Sequence, residues 1–205
     1  FNRQAAQKQA AKYGRREANI DYGTNPCSEI ILRPKQFCNL SEVVVREDDT
    51  AETLQRKIEL ATILGTIQSC FTDFKGLGRQ WSKNTEEERL LGVSLTGILD
   101  NAMLANKTKD SLPELLGSLR MGAVNTNRKW ASLFNIESSA AITCVKPSGT
   151  VSQLVDAASG IHPRHSEYYI RTVRADKKDP LTLFMTDAGF PVEDENKKPE
   201  STAVF

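Results

Sequence analysis

Between residues 51 and 74 the apolar positions Leu54, Ile58, Ala61, Leu64 and Ile67 recur at intervals of three and four. That spacing predicts an amphipathic helix with one buried stripe. Gly76-Leu77-Gly78 breaks it. Upstream, Tyr22-Gly23-Thr24-Asn25-Pro26 reads as a turn. Two extended stretches follow, Glu29 to Leu32 and Phe37 to Val45, joined by a loop containing Pro34. Residues 3 to 18, rich in Ala, Gln, Lys and Arg, read as the end of a helix. Downstream of the charged run Glu86 to Arg89, the segment Leu90 to Gly97 reads as a buried strand or a strand-to-helix corner. Pro113 suits the first turn of a helix running to about Phe134. Ser139 to Val145 reads as a short strand, and Lys146 to Ser152 as a small-residue loop feeding a helix. Tyr168 to Val173 reads as a strand, and Leu181 to Gly189 as a helix closed by its glycine. Residues 193 to 201 are polar and read as a loose tail. Strands alternating with long helices predict an α/β architecture with mostly parallel strands.

Composition changes this picture little. The chain has 205 residues, 39% hydrophobic and 26% charged, enough to bury a core. A formal net charge of +1 gives no reason to expect a nucleic acid or a membrane surface as partner. No apolar run reaches the roughly 18 residues a membrane span needs. The polar, basic start lacks the apolar stretch of an export signal, so a cytoplasmic location is expected. The absent initial methionine and the ending Ser201-Thr202-Ala203-Val204-Phe205 suggest a piece of a longer protein.

The four cysteines stand at 27, 38, 70 and 144. No pair has C-x-x-C spacing, which argues against a zinc ribbon, and a structural disulfide framework does not fit a chain without an export signal. Cys70 and Cys144 are expected to be buried apolar side chains. His162 and His165 are separated by Pro163, which disfavours a shared helix face; no metal site is assigned.

The chemistry concentrates in Asn25-Pro26-Cys27-Ser28-Glu29 and Phe37-Cys38-Asn39-Leu40, with the two cysteines eleven positions apart. If residues 28 to 32 are extended, Cys27 and Glu29 share a face, and Asn25, extended before its proline, can join them. Negative charge nearby disfavours a thiolate. The set therefore suits a neutral thiol that exchanges a hydrogen atom while the carboxylate moves a proton. Pro147-Ser148-Gly149-Thr150-Val151-Ser152 lies between an expected strand and an expected helix. Its hydroxyls, the close approach that Gly149 permits and free helix N–H groups suit a phosphate. The Walker spacing is absent.

These segments, together with Arg89-Leu90-Leu91-Gly92-Val93-Ser94-Leu95-Thr96-Gly97, resemble the catalytic chain of ribonucleotide reductase. The cysteine spacing and Gly160-Ile161-His162-Pro163-Arg164 resemble its adenosylcobalamin-dependent, monomeric ribonucleoside-triphosphate form. The resemblance spans about residues 20 to 190. It implies a ten-stranded α/β barrel with a central finger loop, of which residues 1–192 would be an incomplete C-terminal portion and 193–205 a polar tail or the start of a following segment. It also implies roles. Cys27 would carry the thiyl radical that takes the ribose 3′ hydrogen, and Glu29 would remove the 3′-hydroxyl proton. Asn25 would hold the ribose hydroxyls. Cys38 would be one of two thiols that reduce the 2′ position, and Pro147 to Ser152 would hold the substrate phosphates.

Adenosylcobalamin would be the cofactor, and the implied partners are a ribonucleoside triphosphate, a thioredoxin-like or dithiol reductant, the remaining segments of the enzyme, and deoxynucleotide effectors on the missing region. Two features depart from the family pattern. Ser28 stands where glycine is usual, and no cysteine precedes Cys27 to serve as partner of Cys38. The isolated chain is therefore expected not to turn over. The alternatives are a reductase using a separate metal-radical subunit, and a non-catalytic nucleotide-binding or assembly piece.

Overall fold

The computed structural model describes residues 7, 16, 17, 19–106 and 111–205. The helix expected over residues 3 to 18 thus lies almost wholly outside the described residues. The chain divides into two compact units, Phe1–Arg164 and His165–Phe205.

In the first unit, strands β3 (Asn39–Val44) and β4 (Leu91–Thr96) pair in parallel, from Asn39↔Leu91 to Val44↔Thr96. Residues 140–144 run along the far side of β4 through a parallel bridge, Val93↔Thr143, and the bond Cys144 N–H to Val93 O at 3.0 Å. The expected short strand is therefore present as a bridge. Ahead of this sheet, β1 (Gly23–Thr24) and β2 (Ile31–Leu32) form a small antiparallel ribbon. Helices α1 (Ala51–Gln68) and α4 (Ser111–Leu133) pack on each other, and α1 covers one sheet face. Val43, Val45, Leu54, Ile58, Val93, Leu104, Leu119 and Ala123 make the core between them.

Helix α1 starts at a capping box in which Thr50 and Thr53 satisfy each other's backbone N–H. Its buried stripe differs from the expected one beyond Ile58. Leu64 and Ile67 are exposed, whereas Thr62, Gly65, Thr66 and Ser69 are buried. The reason is closeness: a Cβ on Gly65 would lie 3.1 Å from the Leu91 side chain. Only small side chains fit there, and the hydroxyls of Thr62, Thr66 and Ser69 bond back to helical carbonyls at 2.7 Å each. The helix ends at Gln68, so Cys70 is exposed rather than buried.

Helix α2 (Arg79–Glu88) was not expected, because its sequence is almost wholly polar. It ends on Arg89 in the left-handed region, φ 42°. Two short helices complete the unit, α3 (Ala102–Ala105) and α5 (Val151–Leu154). Asn101 caps α3, and its amide donates to the carbonyls of Arg46, Glu47 and Asp49.

The second unit is a three-stranded antiparallel sheet ordered β5 (Arg174–Asp176), β7 (Thr202–Val204), β6 (Glu193–Asp194). Helix α6 (Pro180–Asp187) is capped by Asp179 and followed by Gly189 at φ 80°. The strand expected over 168–173 begins instead at Arg174. The expected loose tail, residues 193 to 201, supplies β6, and β7 begins just after it at Thr202.

Candidate active site

The ribbon of β1 and β2 carries a tight turn at Asn25–Ser28. Ser28 N–H donates to Asn25 O at 2.9 Å, with Pro26 at the corner position it favours. Ser28 sits at φ 63°, the left-handed region where glycine is cheapest. Cys27 is at the tip and is exposed. Strand conformation is confined to Ile31–Leu32 on this arm, so strand alternation does not align Cys27 with Glu29. The turn does the orienting: Cys27 points out and Glu29 turns in, its side chain 1% exposed.

Asn25 closes the turn. Its N–H donates to Ile30 O at 3.3 Å, and its Oδ1 accepts from Ile30 N–H at 3.1 Å. Its side chain also helps hold the Glu29 carboxyl below its usual value.

The base of the ribbon is anchored by a buried carboxylate. Glu88, at the end of α2, has a fully buried side chain. It accepts from Arg16 at 2.9 and 3.1 Å, from Arg33 at 2.9 Å and from Gln36 at 2.7 Å. Arg16 also donates to Ile31 O at 2.8 Å and lies over the Tyr22 ring. Phe37 stacks against Phe74 and Trp81, with centroids 4.7 and 4.8 Å apart.

Beneath the turn, the sheet face away from α1 carries the remaining groups. A Cβ on Gly92 would meet Leu40 Cδ2 at 2.4 Å, Cys144 Sγ at 3.0 Å and Ile30 Cδ1 at 3.1 Å. The absent side chain is thus what lets the turn arm, β3 and Cys144 converge. Cys38, just before β3, is half-buried, as is Cys144. Lys146 Nζ reaches Glu29 Oε1 at 3.3 Å, and Glu29 Oε2 is buried without a partner.

Electrostatics follow from this packing. Burial works to raise the Glu29 pKa, but its backbone N–H, Asn25 and Lys146 outweigh it and hold the carboxyl below its usual value. Burial, and then the Glu29 charge, push the Cys38 thiol up against the opposing pull of Lys146. The same causes, with the Cys38 and Glu42 charges added, push Cys144 up to about 12. Both inner cysteines are therefore neutral thiols.

The loop 147–152 is tightly folded. Ser148 Oγ donates to Glu42 and accepts from Ser152 N–H at 3.1 Å, while the hydroxyls of Ser152 and Ser159 both donate to Ser148 O. Two of the hydroxyls expected to face an anion are thus engaged within the protein. Pro147, Gly149, Thr150 and Val151 remain exposed. The helix that follows has only four residues. Next to it, Arg164 clamps Asp100 and Asp156 at 2.7–3.2 Å and fixes the 160–164 loop.

Asn25, Glu29 and Cys38 therefore converge with Lys146 and Cys144, whereas Cys27 stays exposed at the turn. Sequence reasoning missed the placement of Lys146, Cys144 and Glu42. The only signal for Lys146 was its position at the head of the loop. Among the described residues, no group of three or more side chains is arranged to hold a metal ion, and no helix is long and apolar enough to cross a membrane.

No family model matches the chain. Its fold is shared by a solved structure, the crystal structure of a B-12 dependent (class II) ribonucleotide reductase. That likeness has a TM-score of 0.65 at 23% identity and covers 89% of this chain and 28% of the other. The described strands form no closed barrel; the chain is a mixed α/β portion of that larger fold.

Curated relatives point the same way. The chain is 28% identical over 218 residues to an adenosylcobalamin-dependent ribonucleoside-triphosphate reductase of Lactobacillus gasseri, covering 92% of this chain. It is 28% identical to the protein of the same name from Euglena gracilis over 99% of the chain, and 30% identical to a probable one from Dictyostelium discoideum over 83%. It spans 28%, 27% and 22% of those relatives' lengths, respectively. The chain resembles the catalytic chain of adenosylcobalamin-dependent ribonucleotide reductases.

Proposed function

We propose that this chain forms the reducing half of the active site of a radical ribonucleotide reductase that converts ribonucleoside triphosphates to 2′-deoxyribonucleotides. The observation that carries the reading is the buried Glu29 carboxylate. It has one free oxygen and two neutral thiols beside it, beneath an exposed cysteine at the tip of a turn. Hydrogen-atom chemistry needs neutral thiols, and the raised values of Cys38 and Cys144 favour that state over a nucleophilic thiolate.

In this reading the turn is the tip of the finger loop of a ten-stranded barrel, and Cys27 takes the 3′ hydrogen of the ribose. Glu29 Oε2 accepts the 3′-hydroxyl proton. Asn25, its amide fixed by Ile30, holds the ribose hydroxyls. Cys38 gives a hydrogen to the 2′ position as water leaves, and its partner thiol comes from another segment. The exposed backbone of Gly149 to Val151, within the 147–152 loop, lies against the substrate phosphates. The arrangement is compatible with adenosylcobalamin, because Cys27 is exposed at the tip and open to a radical source from outside. That cofactor supplies the initial radical when bound, and Cys27 is the residue it would serve. A dithiol or thioredoxin-like protein would re-reduce the thiols, and deoxynucleotide effectors would act on segments outside this chain.

The test uses the complete reading frame that contains the chain. Deoxynucleotide formation from ribonucleoside triphosphates is followed anaerobically with a dithiol, with and without adenosylcobalamin. Activity that needs the cofactor and disappears in Cys27→Ala is expected. Turnover without the cofactor would move the protein to a class with a separate radical source.

A further inference from the structure

The charged groups around Glu29 are not equivalent. Arg16, which borders the same cavity of about 550 Å³ as Glu29, is committed to Glu88. Arg120 and Arg128 line that cavity as well, and the thiols of Cys38 and Cys144 face the carboxylate from the sheet. Lys146 makes the direct contact: its ammonium is 3.3 Å from Oε1, and its side chain is 26% exposed beside a carboxylate that is 1% exposed. The carboxylate is held asymmetrically, with Oε1 paired and Oε2 bare and buried. A buried oxygen without a partner costs free energy, and that cost is offset when a ligand hydroxyl arrives. Lys146 has its backbone closely approached by Gly160. Its own carbonyl lies 3.2 Å from where a Cβ on Gly160 would stand, and Gly160 adopts φ 55°.

We propose that Lys146 is the positioning residue for Glu29, holding Oε1 so that the unpartnered Oε2 faces a substrate hydroxyl and takes its proton. The inference rests on the reductase reading above. In the step, the hydroxyl O–H bond breaks, the proton passes to Oε2, and the negative charge moves from Glu29 to the substrate oxygen. Lys146 itself neither gains nor loses a proton. Its placement at the head of the 147–152 loop also ties the carboxylate to the segment assigned to the phosphates. Movement of that loop would then be felt at the base.

The test is a carbon-13 titration of the Glu29 carboxyl in the complete reading frame that contains the chain, wild type against Lys146→Met and Lys146→Arg. The expected result is an upward shift of the Glu29 midpoint in K146M and its return toward wild type in K146R. An unchanged midpoint in K146M overturns the proposal. A second measurement needs no change at Lys146. In Glu29→Gln the Lys146 ammonium protons should exchange with water faster than in wild type, and an unchanged rate overturns the proposal equally. Adding a ribonucleoside triphosphate separates this inference from the reading beneath it. A nucleotide that perturbs the Glu29 resonance while K146M leaves the midpoint unmoved sinks the role of Lys146 alone. A midpoint that moves as expected in a chain indifferent to nucleotide supports the role of Lys146 and counts against the reductase reading.

Discussion

Two buried glutamates stand at opposite ends of the same short ribbon, and their surroundings differ sharply. Glu88, at the foot, has both oxygens filled by two arginines and a glutamine. Glu29, near the tip, has one oxygen on a single lysine and the other on nothing. A carboxylate that is fully satisfied has no capacity left for a ligand, so Glu88 is an anchor. A carboxylate held ionised by its neighbours yet with one buried oxygen unpartnered keeps room for a ligand hydroxyl, which is the condition expected of a group kept for chemistry.

The strongest way to break this comparison is to remove each carboxylate. Glu88→Ala leaves Arg16 buried without its carboxylate and Arg33 with Glu87 alone, which should cost about 3 kcal/mol, the low end for a broken buried pair. Urea unfolding followed by circular dichroism would measure it, and a loss of the native baseline in water is an acceptable form of the same result. Glu29→Gln keeps the shape, leaves a cation that still reaches water, and should cost much less. Equal costs for the two variants would erase the distinction between anchor and site.

Acid sharpens the comparison next. The folded pKa of Glu29 lies below that of an ordinary glutamate, and that of Asp49, paired with Lys57, below that of an ordinary aspartate. The unfolded chain binds these protons first as pH falls, so stability rises with pH across this range. Both contributions are fully present above their unfolded values and are lost as pH drops through the depressed folded ones. Urea midpoints of the wild type should therefore fall below about pH 4.5. Glu29→Gln and Asp49→Asn should each flatten part of that slope. A slope unchanged in Glu29→Gln would mean that Lys146 and Asn25 do not hold the carboxylate as described.

The motif around the tip was legible in the sequence, and so were the segments that became β3 and β4, because an apolar run at Leu90–Val93 and the extended stretch to Val45 are local signals; that the two pair with each other is long-range and was not. Nor was the foot. Glu88 lies in the charged run 86–89, which has the composition of a solvated surface. Its burial depends on Arg16 and Arg33, 72 and 55 positions away. The pairing of Lys146 with Glu29 spans 117 positions and has no periodic signature. The second half of α1 misled for a related reason: Thr62, Thr66 and Ser69 look like a wet face, yet their hydroxyls are satisfied by the helix itself. Cys144 looked inert because its neighbours are apolar, whereas the side chains across the sheet are not.

Gly92 tests whether the tip depends on tight convergence. An alanine there would press on the ends of three side chains, Leu40, Cys144 and Ile30. Terminal atoms yield more readily than backbone, so the stability cost should be about 1 kcal/mol, at the low end of overpacking. The local effect should be larger than the global one. Cys144 should alkylate faster in Gly92→Ala than in wild type, while Cys70, exposed at the end of α1, should be unaffected and serve as the internal control.

The smallest expected change concerns the turn itself. Ser28 holds φ 63°, and a left-handed conformation costs a non-glycine residue about 1–2 kcal/mol. Ser28→Gly removes that strain but gives the unfolded chain more freedom, which returns roughly 0.5–1 kcal/mol. The two nearly cancel, and the Oγ–Oγ contact of Ser28 with Thr24 at 3.4 Å is too long to weigh much. The midpoint of unfolding should rise slightly or not at all. A clear loss of stability would show that the serine hydroxyl, rather than the backbone, shapes the tip, and that the usual glycine cannot substitute for it in this chain.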